Sequence, residues 1–149
     1  MKVAIGSDHA GYELKDYVKH ILEEKGYEII DVGTNSGDSA DYSDFAFKAA
    51  QLVSKGVADR GVLVCGTGMG MSVAANKVKG IRASLAQDLY TAIQSRKHLD
   101  ANVLALGARV IGKGLAEEIV KVWFETEFEG GRHGTRVEKI SAWEEEHLK

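Results

Sequence analysis

Residues 61–76 of the chain read GVLVCGTGMGMSVAAN. The first four are apolar or small without polar alternation, which is typical of a parallel strand that is covered on both faces. Cys65 closes this strand, glycines follow at alternate positions from Gly66 to Gly70, and a run of small residues then predicts a helix. A strand that leads through a glycine-rich turn into a helix indicates a parallel α/β fold.

Short apolar segments alternate with segments of helical periodicity on both sides of this stretch. In the first helix the apolar residues from Leu14 to Leu22 share one face, and Gly26 is placed to end it. The pattern predicts strands at 2–6, 27–32, 61–64, 81–85 and 102–106, and further helices at 41–55, after the glycine-rich turn, and at about 88–98, 110–124 and 132–148. We therefore expect a Rossmann-like or flavodoxin-like three-layer α/β sandwich with a five-stranded parallel sheet, in the common strand order 2-1-3-4-5.

Length and composition exclude several classes of protein. The 149 residues fit a single domain, 1–149, and a net charge of -3 gives no general attraction to nucleic acid. Cys65 is the only cysteine, which excludes an intramolecular disulfide and a zinc site built on several thiolates. The chain has no apolar run of about 18 residues and no signal-peptide pattern. We expect a cytoplasmic protein that binds neither nucleic acid nor membranes.

The predicted fold indicates where a ligand binds. Ligands of open parallel α/β sheets lie at the carboxyl ends of the strands, where neighbouring connections diverge. In the expected strand order the first and third strands are adjacent, so residues 7–11 (SDHAG) and 65–70 (CGTGMG) meet at that edge. These two loops are therefore the first candidates for a site.

The glycine-rich turn, residues 65–70, lets several backbone N–H groups point to one position beside a helix N-terminus, which favours an anion. It matches neither the G-x-G-x-x-G dinucleotide pattern nor a P-loop. The alternative is that its glycines serve only the close packing of a helix on the sheet. A thiol beside a helix N-terminus ionises readily and can act as a base or nucleophile, which makes Cys65 a candidate catalytic residue. The alternative is that Cys65 is only a small apolar residue of the core.

Basic residues in the second half of the chain are candidates for an anion site. His98 follows a helix and precedes the fifth strand, and we expect it on the ligand-bearing edge; the alternative is an interaction with the helix dipole. Arg132 and Arg136 lie one turn apart at the start of the last helix, with His133 beside them, which suits one multiply charged anion. The alternative here is a solvated basic patch. Arg109, after the fifth strand, is less informative alone.

The chain resembles the ribose-5-phosphate isomerase type B family of sugar-phosphate isomerases along essentially its whole length. The motifs that carry this resemblance are VAIGSDHAG (3–11), DVGT (31–34), DYSDFA (41–46), GVLVCGTGMGMSVAANKV (61–78), ANVLALGARVIG (101–112) and GGRHGTRVEKI (130–140). The resemblance implies a reversible aldose–ketose isomerisation of ribose 5-phosphate and ribulose 5-phosphate, through an enediolate and without a metal ion or cofactor.

The resemblance also implies roles for individual residues. It makes Cys65 the base, since Met71 stands where relatives without this cysteine carry a glutamate. Thr67 and the amides of the glycine-rich turn would hold the enediolate oxygens, and His98 would open the sugar ring. The implied substrate-binding residues are Asp8, His9, Asp41, Tyr42, Gly66, Gly68, Met69, Gly70, Leu99, Arg109, Arg132, His133 and Arg136. The phosphate would lie among His9, Arg109, Arg132 and Arg136, and Asp8 would bind sugar hydroxyls or the ring oxygen.

In this family the site lies between two subunits, so the resemblance implies a homodimer or homotetramer with the helix at about 132–148 at a subunit interface. The chain departs from the family pattern at Leu99, where an asparagine is usual, and at Ser43, where a proline is usual. The leucine at position 99 leaves the identity of the substrate sugar undecided. A hexose phosphate, allose 6-phosphate or galactose 6-phosphate, is one alternative substrate, and a non-catalytic module that binds a sugar phosphate is an alternative function.

Overall fold

The computed structural model describes residues 1–148. Its five parallel strands are β1 (Lys2–Ser7), β2 (Glu28–Gly33), β3 (Arg60–Cys65), β4 (Ala83–Leu85) and β5 (Val103–Gly107). The helices of this part of the chain are α1 (Tyr12–Glu24), α2 (Tyr42–Ser54), α3 (Met69–Ala75), α4 (Leu89–Leu99), α5 (Lys113–Glu125) and α6 (Gly131–His147). The predicted α/β sandwich with a five-stranded parallel sheet is confirmed. None of the described helices is long and apolar enough to cross a membrane.

The strand order is β2-β1-β3-β5-β4, so the expected order 2-1-3-4-5 is wrong at its last two strands. All five positions of β5 are buried, whereas the three residues of β4 are half-buried or exposed. A strand that is buried on both faces has to lie inside the sheet, and a short, partly exposed strand suits the edge. The adjacency of β1 and β3, on which the location of the site depends, is confirmed by their pairing from Val3↔Arg60 to Ser7↔Val64.

Two apolar cores cover the two faces of the sheet. One joins the sheet to α1, α4 and α5 and includes the fully buried Trp123. The other joins it to α2 and α3, where the alanines of α2 allow a close approach, and it includes Cys65. Helix α6 packs against α4 outside these cores, and its Trp143 is 57% exposed. Trp123 is thus a packing residue, and Trp143 lies at the surface.

Candidate active site

The loops that follow β1 and β3 lie side by side. The Asp8 amide donates to the Val64 carbonyl at 3.3 Å. The Asp8 Oδ1 accepts the N–H groups of Ala10 and Gly11, each at 3.0 Å, so the carboxylate is held by its own loop. A Cβ atom on Gly11 would overlap the Val64 carbonyl, and only glycine permits this approach. The sequence prediction that these two loops meet at one edge of the sheet is therefore confirmed.

The Cys65 sulfur lies beneath the glycine-rich turn. Its side chain is only 4% exposed, and the Gly68 N–H donates to Sγ at 3.2 Å. Gly68 has a φ of +83°, a left-handed conformation that glycine adopts readily, and it caps the N-terminus of α3. The neighbouring Thr67 is exposed, and its Oγ1 accepts the Met69 N–H at 3.2 Å. An N–H directed at sulfur stabilises the thiolate more than the thiol.

Arg109 and Tyr42 border the glycine-rich turn. The Arg109 amide donates to the Gly66 carbonyl at 3.0 Å, and its guanidinium Nη1 lies 3.5 Å from where a Cβ atom of Gly66 would be. The Tyr42 ring lies on Gly70, because a Cβ atom there would be 2.5 Å from the ring. A cation and a phenol therefore flank the backbone N–H groups of the turn.

The loop between β2 and α2 brings His9 and Asp41 to the same edge. His9 Nδ1 lies 3.2 Å from the Ala40 N–H, which donates to it when Nδ1 carries no proton. When Nδ1 is protonated, it donates instead to the Ala40 carbonyl at 3.3 Å. The Ala40 peptide therefore orients the imidazole in either state and leaves Nε2 for a ligand. Asp41, the next residue, is exposed at the N-cap of α2 and makes no capping hydrogen bond.

The carboxyl edge of the sheet therefore carries eleven of the predicted site residues. They are Asp8, His9, Asp41, Tyr42, Cys65, Gly66, Thr67, Gly68, Met69, Gly70 and Arg109. Within residues 1–148, no three His, Cys, Asp or Glu side chains are grouped as they would be around a metal ion. The arrangement offers a thiol, a carboxylate, an imidazole, a guanidinium and several N–H donors to a small anionic ligand.

The expectation that His98 lies on this edge is wrong. Helix α4 begins after β4 at the carboxyl edge and ends before Val103, the first residue of β5, which pairs with Gly61 at the start of β3. In a parallel sheet a connecting helix runs back against the strands. A residue that follows the helix and precedes the next strand therefore lies at the amino edge. Leu99, the last residue of α4, lies at this edge with His98.

His98, near the C-terminal end of α4, contacts a second group of basic residues at the start of α6. Its ring stacks on that of His133, with 4.0 Å between the centroids and 12° between the planes. Its Nε2 lies 3.9 Å from a Glu129 carboxylate oxygen. The pKa of His133 is lowered by its partial burial and by the positive charges of His98 and Arg132. We call His98, Arg132, His133 and Arg136 the histidine–arginine cluster; both of its arginines are exposed.

A groove of about 380 Å³ runs between β4 and α4 and ends at His98. Its lining residues are Ser84, Leu85, Ala86, Thr91, Gln94, Ser95, His98 and Leu99. The Oε1 of Gln94 is buried there without a hydrogen bond. Leu85, at the other end, would contact a Cβ atom placed on Gly68. The groove thus extends from beside the glycine-rich turn down to the histidine–arginine cluster of the same chain.

Two residues near the site were missed by sequence reasoning. Gln87 hydrogen-bonds both the glycine-rich turn and β5 through contacts that no local pattern indicates. Lys15 is fully buried, and its Nζ donates to Asp31 at 2.9 Å, to the Thr34 carbonyl at 2.6 Å and to Asn35 Oδ1 at 2.7 Å. The sequence did indicate that Lys15 is buried, because this lysine occupies a position on the apolar face of α1.

A buried ion pair anchors the loop that leads to Asp41. Burial alone would raise the pKa of Asp31, but the hydrogen bonds from Lys15 and from the Gly33 N–H, with the charge of Lys15, hold it below its ordinary value. Asp31 is therefore ionised, and Lys15 ties the start of the loop after β2 to α1. The far end of that loop carries Ala40, which orients His9.

Comparison with known proteins places the chain in a family. The profile of the family described as Ribose/Galactose Isomerase matches residues 3–140. Ribose-5-phosphate isomerase B of Escherichia coli (strain K12) is 49% identical over 144 residues, which cover 97% of each chain. The structure of Clostridium thermocellum ribose-5-phosphate isomerase B has a TM-score of 0.97 at 53% identity and 99% coverage of each chain. The structure of ribose-5-phosphate isomerase B from Mycoplasma genitalium, with bound ribulose-5-phosphate, has a TM-score of 0.94 at 41% identity and 97% coverage of each.

These matches include every part of the site. The glycine-rich turn, both loops beside it and the histidine–arginine cluster all lie within the matched residues. The resemblance to ribose-5-phosphate isomerases of type B, which the motifs indicated, is confirmed. The chain therefore belongs to the ribose/galactose isomerase family and is an isomerase.

Proposed function

We propose that the protein interconverts ribose 5-phosphate and ribulose 5-phosphate through an enediolate, without a metal ion or cofactor and with Cys65 as the base. The observation that carries the proposal is the Cys65 Sγ at the carboxyl end of β3, with the Gly68 N–H at 3.2 Å. Only the thiolate can take a proton from carbon, and this N–H favours the thiolate. Ribose 5-phosphate and ribulose 5-phosphate are named for the Escherichia coli and Mycoplasma genitalium relatives, while a relative from Pectobacterium atrosepticum is named for D-erythrulose 4-phosphate.

The proposed chemistry moves one proton between adjacent carbons. In the open-chain aldose the Cys65 thiolate takes the proton from C2, and the electron pair passes to the C1 carbonyl oxygen to form the enediolate. The thiol then returns a proton to C1, while the hydroxyl proton of O2 passes to O1 and O2 becomes the ketose carbonyl. The backbone N–H groups of the turn and the Thr67 hydroxyl stabilise the negative oxygen during these steps.

A second copy of the chain has to complete this site. His98, the proposed group for ring opening, lies at the amino edge, whereas Cys65 lies at the carboxyl edge. We therefore propose a homodimer, alone or paired into a homotetramer, in which the histidine–arginine cluster of each copy faces the glycine-rich turn of the other. Two-fold symmetry makes such a contact twice and so forms two equivalent sites.

The surface around α6 supports an interface between copies. Ile140 and Trp143 are more than half exposed, and with Leu99 they line a second groove of about 310 Å³. Apolar side chains that are exposed together mark contact surfaces. We place the helix at about 132–148 at this interface, and we take residues 1–149 as one isomerase domain.

The phosphate of the substrate would be held from both copies. His9 and Arg109 lie at the carboxyl edge of one chain, and Arg132 and Arg136 belong to the histidine–arginine cluster of the other. In the described part of the chain neither Arg132 nor Arg136 forms an ion pair. A phosphate dianion would supply the missing negative charge and is well suited to paired guanidinium groups.

Two other functions use the same site. A hexose phosphate would follow the same proton transfer and differ only in the length of sugar that the site accepts. A binding module would hold the sugar phosphate without proton transfer, but it has no need of a thiol beneath a backbone N–H.

A base thiol also has to remain reduced, which agrees with the expected cytoplasmic location.

Exchange of the substrate C2 proton with solvent deuterium tests these functions. We expect the unaltered protein to isomerise ribose 5-phosphate and to exchange that proton. The Cys65→Ala protein should still bind ribose 5-phosphate, but its rates of isomerisation and of proton exchange should both be at least about 100-fold lower. Binding without exchange by the unaltered protein would establish the binding module. A higher kcat/KM on allose 6-phosphate or galactose 6-phosphate would establish the hexose phosphate.

A further inference from the structure

The side chain of Gln87 joins the glycine-rich turn to the end of β5. Gln87 lies between β4 and α4, directly before Asp88, whose side chain caps α4. Its Nε2 donates to the Thr67 carbonyl at 3.2 Å, and its Oε1 accepts the Gly107 N–H at 2.8 Å. Both ends of one side-chain amide are therefore used to connect two segments that are distant in sequence.

The Thr67 carbonyl belongs to the same peptide group as the N–H that contacts Cys65. The peptide between Thr67 and Gly68 is trans, so its C=O and N–H point in opposite directions from one plane. Gln87 holds the carbonyl, and the Gly68 N–H on the other side donates to the Cys65 Sγ at 3.2 Å. A rotation of this peptide plane would break both hydrogen bonds together.

The backbone preferences of Gly68 do little to fix the orientation of this peptide. Gly68, with a φ of +83°, has access to more backbone conformations than any other residue type. Gly107 packs directly against the Thr67 carbonyl, because a Cβ atom on Gly107 would be 2.6 Å from the carbonyl oxygen. Residue 107 therefore has no side chain that could hold the turn. Among the described residues Gln87 is the side chain that donates to this carbonyl.

We propose that Gln87 is a positioning residue for Cys65, which keeps the Gly68 N–H on the sulfur and thereby stabilises the reactive thiolate. The proposal gains its catalytic meaning from the proposed role of Cys65 as the base. Gln87 does not touch the reacting atoms; it acts through one peptide plane. Its loss is therefore expected to change the reactivity of the thiol more than the affinity for substrate.

The test compares Gln87→Met, which keeps the side-chain length and removes both hydrogen bonds, with Gln51→Met, an exposed position on α2. The first measurement is the rate of Cys65 alkylation by iodoacetamide as a function of pH. We expect the Gln87→Met curve to move to higher pH by about 0.5 to 1 unit, which is about a 3-fold to 10-fold lower rate on its acidic side. The Gln51→Met curve should match that of the unaltered protein.

The second measurement is the pH profile of kcat on ribose 5-phosphate, which should move in the same direction with little change in KM. An unmoved alkylation curve in a folded Gln87→Met protein overturns the inference. A moved alkylation curve with an unmoved kcat profile supports the role of Gln87 and removes Cys65 as the base. If Gln87→Met does not fold, Gln87→Leu serves instead: it is also uncharged, removes both hydrogen bonds, and is held to the same criteria.

Discussion

Cys65 and His98 lie at opposite edges of the sheet within one chain. Cys65 ends β3 and pairs with Gly107, whereas His98 precedes β5, whose first residue Val103 pairs with Gly61. The rise of about 3.3 Å per strand residue separates the level of Cys65 from that of Gly61 by about 13 Å. A reaction that uses both side chains at one sugar therefore needs two copies of the chain.

Mixing two inactive variants tests this arrangement. Cys65→Ala and His98→Ala proteins should each be inactive, because every site lacks one group. After subunit exchange, half of the dimers are mixed and each holds one intact site, so about one quarter of the unaltered activity should return. A mixture that stays inactive although exchange is verified by mass spectrometry would show that Cys65 and His98 do not act in trans.

The Leu99 side chain offers no hydrogen bond where it lies beside His98; only its backbone carbonyl accepts one, from Arg82 Nε at 2.9 Å. Replacing it with asparagine introduces a donor and an acceptor, and one new hydrogen bond to a sugar hydroxyl is worth about 1 kcal/mol, or about 5-fold in rate. We expect Leu99→Asn to raise kcat/KM for ribose 5-phosphate by that factor. Leu89→Asn, at a similarly exposed leucine in the first turn of α4, is the matched control. An unchanged or lower kcat/KM for Leu99→Asn would mean that the sugar does not reach this residue.

The buried ion pair of Lys15 and Asp31 should stabilise the protein at neutral pH and lose that contribution in acid. Lys15→Met leaves a mostly buried carboxylate with only the Gly33 N–H and the more distant Lys19 as partners, and we expect a loss of about 3 kcal/mol in the free energy of unfolding at neutral pH. Lys19→Met is the control, because Lys19 lies farther from Asp31, at 3.4 Å, and is partly exposed. Urea unfolding measures both, and equal losses for the two variants would contradict the assignment.

The pH dependence follows from the lowered pKa of Asp31. Because the folded pKa is below the unfolded one, the contribution is fully present above the ordinary value of 3.8 and is lost as the pH falls through the folded pKa. The unaltered protein should therefore lose stability in this acidic range. Lys15→Met should show a much flatter dependence there, and a curve parallel to that of the unaltered protein would contradict the prediction.

The pKa of His133 should lie below the ordinary value for histidine. Burial and the positive charges of His98 and Arg132 lower its pKa from 6.5. Below pH 6.5 the unfolded chain therefore binds a proton at His133 more readily than the folded chain does, and the free energy of unfolding decreases as the pH falls through this value. NMR titration in phosphate-free buffer should show a midpoint below 6.5 for His133. Arg132→Gln should move it upward, whereas Lys139→Gln, farther along α6, should not. A midpoint at or above the ordinary value in the unaltered protein would refute the prediction.

The elements of the fold were predictable because their signals are local. The unbroken apolar run before Cys65 predicted β3, and Gly26 ended α1 as predicted, with a φ of +87° one residue beyond the C-cap. The exchange of β4 and β5 was not predicted. Strand order depends on which strand buries more apolar surface, and that comparison involves the whole sheet.

The site was predictable where it depends on strand ends and unpredictable where it depends on long-range contacts. Asp8 and Cys65 meet because parallel strands end at one edge. His98 was assigned to the wrong edge because a connecting helix reverses the direction of the chain. Gln87 and the partners of Lys15 were missed, since their hydrogen bonds join segments that no periodicity relates.

The sequence alone determined the family, the alternation of strands and helices, and the chemistry available: a single thiol, a glycine-rich turn and a set of basic residues. Those properties reside in side-chain types and in local backbone preferences. The tertiary structure decided which of these groups share one edge of the sheet, which peptide N–H reaches the thiol, and that the histidine–arginine cluster lies away from it. Spatial neighbours across a sheet are set by the packing of the whole chain, which local preferences do not contain.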